Sequence, residues 1–96
     1  MLLKLFDPNQ VFEDETEDLR NYVFARDDGL CLQCGSQGSS IHHVIYRSHM
    51  KGHCANRMGV LCFKCHFSLH NCIDVEKKLL LLRIEENEKK LRERLV

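Results

Sequence analysis

Cys31 and Cys34 form one Cys-x2-Cys pair and Cys62 and Cys65 form another. A pair of this kind, repeated at this distance, supplies four thiolates within the reach of one tetrahedral zinc. Between and just after the pairs lies a second set of side chains: His42, His43, Asn56, then His66 and His70 in the run Cys65-His66-Phe-Ser-Leu-His70. Imidazoles bind divalent metals, and with an ordinary pKa near ~6.5 they also accept a proton at neutral pH. A plain zinc knuckle needs none of them. The spacing therefore implies one metal that holds a fold and a further group of residues equipped for chemistry.

Those residues need elements to position them. Thr16 can cap a helix running to about Asp27, with Glu17 and Asp18 at its positive end, Leu19, Tyr22, Val23 and Arg26 at helical spacing, and Gly29 as a left-handed stop. The first dozen residues read as an arm. The first knuckle follows, with Gly35 letting backbone amides turn back toward the thiolates, and Gln37 to Ser40 reads as a turn. The β-branched and aromatic run Ile41 to Tyr46 predicts a short strand, and Val60-Leu61 a second. Between them a loop bounded by Gly52 and Gly59 carries Asn56. The second knuckle runs into a helix from about Lys64 to Asn71, where His66 and His70 share a face. Phe63 and Phe67 share another face and are expected in the core. Asp74 opens a long helix to Leu95, laced by Glu85–Lys89, Glu86–Lys90 and Glu88–Arg92 pairs. Its apolar residues form two stripes, Val75/Leu79/Leu82 and Leu81/Ile84/Leu91/Leu95, the second broken by Glu88. This helix is expected to pack through its first half and project beyond it, with a coiled-coil dimer as the alternative.

At 96 residues the chain is one domain, spanning 1–96. A chain of this size buries only about 60–65% of its unfolded surface, so a structural metal supplements a thin core. Six cysteines in so short a chain also fit a secreted disulfide scaffold. Against that, the apolar run before Asp7-Pro8 is too short for a signal peptide, and no stretch reaches the ~20 apolar residues of a membrane span. Zinc knuckles in a reducing cytoplasm are the expected reading, with Cys54 and Cys72 as buried or idle thiols. Net charge is zero, but it is unevenly spread. Residues 1–28 carry eight acids and three bases, whereas residues 29–73 carry Arg47, Lys51, Arg57, Lys64, all six histidines and no acid. A locally positive face on a neutral protein follows.

The run Ile41-His42-His43-Val44-Ile45-Tyr46-Arg47-Ser48, then Asn56, then Leu61-Cys62-Phe-Lys-Cys65-His66, resembles the HNH endonuclease family. The likeness covers about residues 26–70, including the lead-in Arg26-Asp27; the motif core is 26–72 and the C-terminal helix 74–95 lies outside it. The resemblance implies a small α+β zinc-stabilised domain with a ββα-metal (His-Me finger) core, flanked by an N-terminal and a long C-terminal helix. It implies that Cys31, Cys34, Cys62 and Cys65 hold structural zinc, that His43 is the general base, and that Asn56 fixes the loop and orients His43. His42 and His66 would bind a catalytic divalent metal. The family often has Asp where this chain has His42, and an imidazole there favours Mn²⁺, Co²⁺, Ni²⁺ or Zn²⁺ over Mg²⁺. Two readings of His70 stay open, a third ligand one turn on from His66 or a surface residue. His49 and His53 match no family position and read as solvated loop histidines, with metal ligation as the alternative. One tension is built in: neighbours on a strand point to opposite faces, so His42 and His43 can share a site only where the strand bends or ends.

The implied activity is metal-assisted phosphodiester hydrolysis on DNA, nicking one strand with low sequence specificity. Arg47 and Lys51, then Arg57 and Lys64, are the expected phosphate contacts. The setting implied is a bacterial or phage-encoded cytoplasmic protein, monomeric or dimeric through the C-terminal helix. The rival class is a zinc-held DNA-binding or accessory module of phage or restriction machinery that does not cut.

Overall fold

The computed structural model describes residues 5–44, 52–68 and 74–94. Arg47, His49, Lys51, His70, Cys72 and Leu95 lie outside the described residues. The elements are β1 (Val11–Phe12), α1 (Glu17–Arg26), β2 (Ser40–His43), β3 (His53–Cys54), a single 3-10 turn (Ala55–Arg57), β4 (Met58–Leu61), α2 (Phe63–Ser68) and α3 (Asp74–Arg94). The result is a small α+β domain with a long C-terminal helix.

Helix α1 starts where its cap predicts: Thr16 Oγ1 accepts the Leu19 amide at 3.2 Å. It ends through two left-handed residues, Asp28 at φ 55° and Gly29 at φ 67°, and the Gly29 amide returns to the Phe24 carbonyl. Strands β2 and β4 pair antiparallel with His42 opposite Gly59 and His43 opposite Met58. The Val44 amide bonds the Arg57 carbonyl, so the long connection between these strands closes on itself. The N-terminal arm contributes more than expected. Val11 and Phe12 pair with Cys54 and His53, and the Asn56 amide bonds the Pro8 carbonyl, which fastens the connection from outside. Gly52 allows this approach: its φ is 106°, and a Cβ there would meet the Phe12 carbonyl.

Two apolar clusters form the core. Leu19, Tyr22, Val23, Ile41, Ala55, Met58, Val60 and Leu91 make the first; Cys31, Val44, Leu61, Leu80 and Ile84 make the second. Between α1, β4 and α3 runs a buried polar seam. Arg26 Nε and Nη2 take both Asp27 carboxylate oxygens at 2.9 Å, and its Nη1 and Nη2 donate to the Ala55 and Met58 carbonyls. Asp27 also accepts the Val60 amide and Asn87 Nδ2. Glu88 accepts from Tyr22 and Arg26.

Two expectations are corrected. Helix α3 does not project beyond its first half: Leu80, Ile84, Glu88 and Leu91 are all buried, and Arg92 and Arg94 reach Phe6 and Asp28. Glu88 belongs to the inner stripe, where Tyr22 and Arg26 satisfy it, while Val75, Leu79 and Leu82 face outward. Phe63 and Phe67 are not core; they are 80% and 81% exposed. At about 100° per residue, α2 and its entry turn Cys62, Cys65 and His66 inward, and that rotates Phe63 and Phe67 out.

Candidate functional site

Each cysteine pair is held by local backbone. After Cys31 the chain turns through Gly35, at φ 79°, whose amide donates to the Cys31 carbonyl, and the Cys31 amide bonds the Ser36 carbonyl. At the second pair the Cys65 amide points at Cys62 Sγ, 3.4 Å away, and the His66 amide closes the first helical turn on the Cys62 carbonyl. The Leu32 amide, bonded to the Val60 carbonyl, docks one knuckle on the strand that feeds the other.

The four sulfurs all lie within 4.8 Å of one another. Cys34 Sγ and Cys62 Sγ are 3.7 Å apart, and four sulfurs at ~2.3 Å from one zinc would be separated by about 3.8 Å. Their acidities differ. Hydrogen bonds from the Ser36 hydroxyl and then its backbone bring Cys34 down to about 6. The Cys65 amide lowers Cys62. Burial first, then its sulfur neighbours, pushes Cys65 up to about 12. Sulfurs this close resist ionising together, and a cation in their midst removes that conflict. The donor set therefore fits a closed structural metal such as zinc. Cys54 stands apart, its thiol buried against the Pro8 carbonyl at 2.9 Å.

Beside this cluster, β2 divides its two histidines. His42 is 5% exposed, with Nε2 buried, and its ring lies edge-to-face with His66 of α2 at 5.3 Å between centroids. Ser40 Oγ holds His66 Nδ1 at 2.7 Å. His43, the last residue of β2, lies with a different group. Its Nε2 is 3.1 Å from Nδ1 of His53 and 3.8 Å from Oε2 of Glu15. The alternation of a strand accounts for the split. His53 is thus not a solvated loop histidine; pairing of β3 with β1 buries it. Nothing in the local sequence around His53 marks this, because its burial depends on strand β1, 41 positions earlier at Phe12.

Asn56 is half-buried in the 3-10 turn, and its Nδ2 donates to Asn9 Oδ1 at 2.6 Å. This bond and that of its amide to the Pro8 carbonyl tie the connection to the N-terminal arm. Arg57 is exposed and shares a cleft of about 440 Å³ with Asn56, Glu85 and Glu88. Lys64 is exposed in the first turn of α2. No helix among the described residues is long and apolar enough to cross a membrane. No family model, curated protein or solved structure matches the chain.

Proposed function

We propose that this chain is a metal-dependent DNA endonuclease of the HNH type, built on a ββα-metal core formed by β2, β4 and α2. The observation that carries the reading is the His42–His66 pair. Two imidazoles from the first strand and the following helix stand 5.3 Å apart, next to four clustered cysteines. Ligand histidines commonly have one ring nitrogen held by a polar neighbour, which fixes the other toward the ion. Ser40 holds His66 Nδ1 in this way. His42 and His66, with His70 as a candidate third, would hold a divalent cation of the Mn²⁺ or Zn²⁺ class. Such a cation, when bound, polarises the phosphate and neutralises the departing oxyanion.

The chain's own residues supply the rest. His43 accepts the proton of the attacking water, and its position at the end of β2 leaves its side chain partly open to solvent. Asn56 anchors the connection that carries the strand end. The cysteine cluster keeps α2 at a fixed angle to the hairpin and has no open position for substrate. Arg47, Lys51, Arg57 and Lys64 supply positive charge for the DNA backbone.

Two observations favour a non-catalytic DNA-binding module instead: β2 places His43 with Glu15 and His53 rather than with the His42–His66 pair, and His43 Nε2 is engaged by His53 at 3.1 Å, which occupies the nitrogen a base would use. Incubation with supercoiled plasmid across divalent metals, with EDTA as control, separates the two. Cleavage that needs metal, and that falls roughly 10²–10⁴-fold in folded His43→Ala, supports the enzyme. Gel-shift binding without cleavage in any metal supports the module.

A further inference from the structure

Glu15, His43 and His53 come from three separate elements: the residue before the Thr16 cap, the end of β2 and the start of β3. Their three donor atoms lie within 4.8 Å of one another. The His43 Nε2 to His53 Nδ1 separation of 3.1 Å falls within the ~2.8–3.4 Å spanned by two nitrogens bound at about 2.0–2.1 Å to one octahedral or tetrahedral ion. A hydrogen bond between the rings would give that distance too. It would not require the third donor, a carboxylate whose orientation is set from behind: Arg20 Nη1 takes Glu15 Oε1 at 3.1 Å, while Oε2 faces His43. Backbone pairing fixes both histidines, His53 opposite Phe12 and His43 opposite Met58. The Glu15 and His43 side chains are 22% and 27% exposed, so an ion can enter from solvent.

The geometry points to a further metal site, separate from the cysteine cluster and from the His42–His66 pair, in which Glu15, His43 and His53 take one divalent cation of the Zn²⁺, Co²⁺ or Ni²⁺ class. Two imidazoles and one carboxylate suit these ions. Three protein ligands leave a coordination position for water or a small anion, unlike the closed cysteine cluster. A consequence rests on the nuclease reading. If His43 is the base, an ion here occupies its Nε2, and filling this site lowers cleavage.

The test is Co²⁺ titration of the full chain with zinc already in the cysteine cluster, followed by visible absorption and calorimetry. Running it in the His66→Ala background removes the His42–His66 pair from the readout. One Co²⁺ is expected to bind, giving weak visible bands without the intense near-ultraviolet absorption of thiolate ligation. Adding Glu15→Gln or His53→Gln should weaken it at least tenfold. Far-UV circular dichroism and zinc content check folding, and Glu15→Gln, an isosteric change at a partly exposed position, keeps the test decisive if His53→Gln misfolds. Absence of the Co²⁺, or equal affinity in folded Glu15→Gln, overturns the site. The readout is binding, so the two claims fail separately. A protein that binds this Co²⁺ but never cuts DNA loses only the nuclease reading, and one that cuts DNA but lacks this binding loses only the site.

Discussion

Tyr22 donates its phenolic hydrogen to Glu88 Oε2 across 2.6 Å, joining α1 to α3 through residues 66 positions apart. Burial first, and then the Glu88 carboxylate, raises the Tyr22 phenol above its ordinary value near ~10. The folded chain therefore favours the neutral phenol. That contribution to stability is complete below about pH 10 and is lost as pH rises through the folded value. In a Tyr46→Phe background, where Tyr22 is the remaining tyrosine, tyrosinate absorbance should stay low past pH 10 and rise together with loss of circular dichroism. Ionisation near pH 10 in protein that remains folded would contradict this.

Arg26 is the centre of the seam that Tyr22 and Glu88 complete. It is fully enclosed and joins two carboxylates and two carbonyls. Arg26→Met keeps much of the volume but leaves Asp27 and Glu88 without their cation, and breaking a buried pair in this way costs roughly 3–5 kcal/mol. Chemical denaturation of zinc-loaded protein should show that loss. A change under about 1 kcal/mol would mean that water or a rearranged partner satisfies the carboxylates.

What the sequence disclosed was local, and what it concealed depended on distant partners. Thr16 caps α1 because its hydroxyl needs only the amide three residues on, and the knuckles form because each is a self-contained turn. By contrast, helical period marks an apolar stripe without saying which stripe faces in. Val75, Leu79 and Leu82 have the spacing of a core face yet point to solvent, while the stripe that packs contains Glu88. A glutamate there looks like a break until Tyr22 and Arg26 arrive from α1. Phe63 and Phe67 were misleading for a related reason: in a six-residue helix the sulfurs and His66 claim the inner face. The Glu15–His43–His53 group was hidden because it requires β1 to pair with β3, a contact of two residues on each side that is too short to show a strand period.

The cysteine cluster predicts one tightly held zinc per chain and a domain that depends on it. Without the ion, four close sulfurs lose their common partner and α2 loses its tie to the first knuckle. Chelation with a strong zinc ligand should release the metal with loss of cooperative unfolding, and Cys31→Ser should purify with little zinc. Cys54→Ser is the control: its thiol makes one bond to the Pro8 carbonyl, so zinc content should stay at the wild-type level. Zinc-free wild-type protein with full cooperativity, or disulfides among the four, would refute the assignment.

On the nuclease reading, the protein alone should nick rather than cut both strands. One His42–His66 pair serves one phosphodiester at a time, and concerted double-strand cutting needs two sites related by a dyad, hence a closed dimer. Helix α3 was the candidate dimer element, but Ile84, Glu88 and Leu91 are spent on its own domain. The outward stripe, Val75, Leu79 and Leu82, spans barely more than one heptad, which is too short for a stable two-stranded coil. Sedimentation at micromolar concentration should therefore give a monomer. Supercoiled plasmid should pass to open circles first, with linear DNA accumulating only as independent nicks fall close together. Because the two assigned ligands are imidazoles, Mn²⁺-class ions should support this better than Mg²⁺. Linear product formed directly at low enzyme, together with a dimer mass that Leu79→Glu abolishes, would reverse the conclusion and assign the outer stripe of α3 to dimerisation.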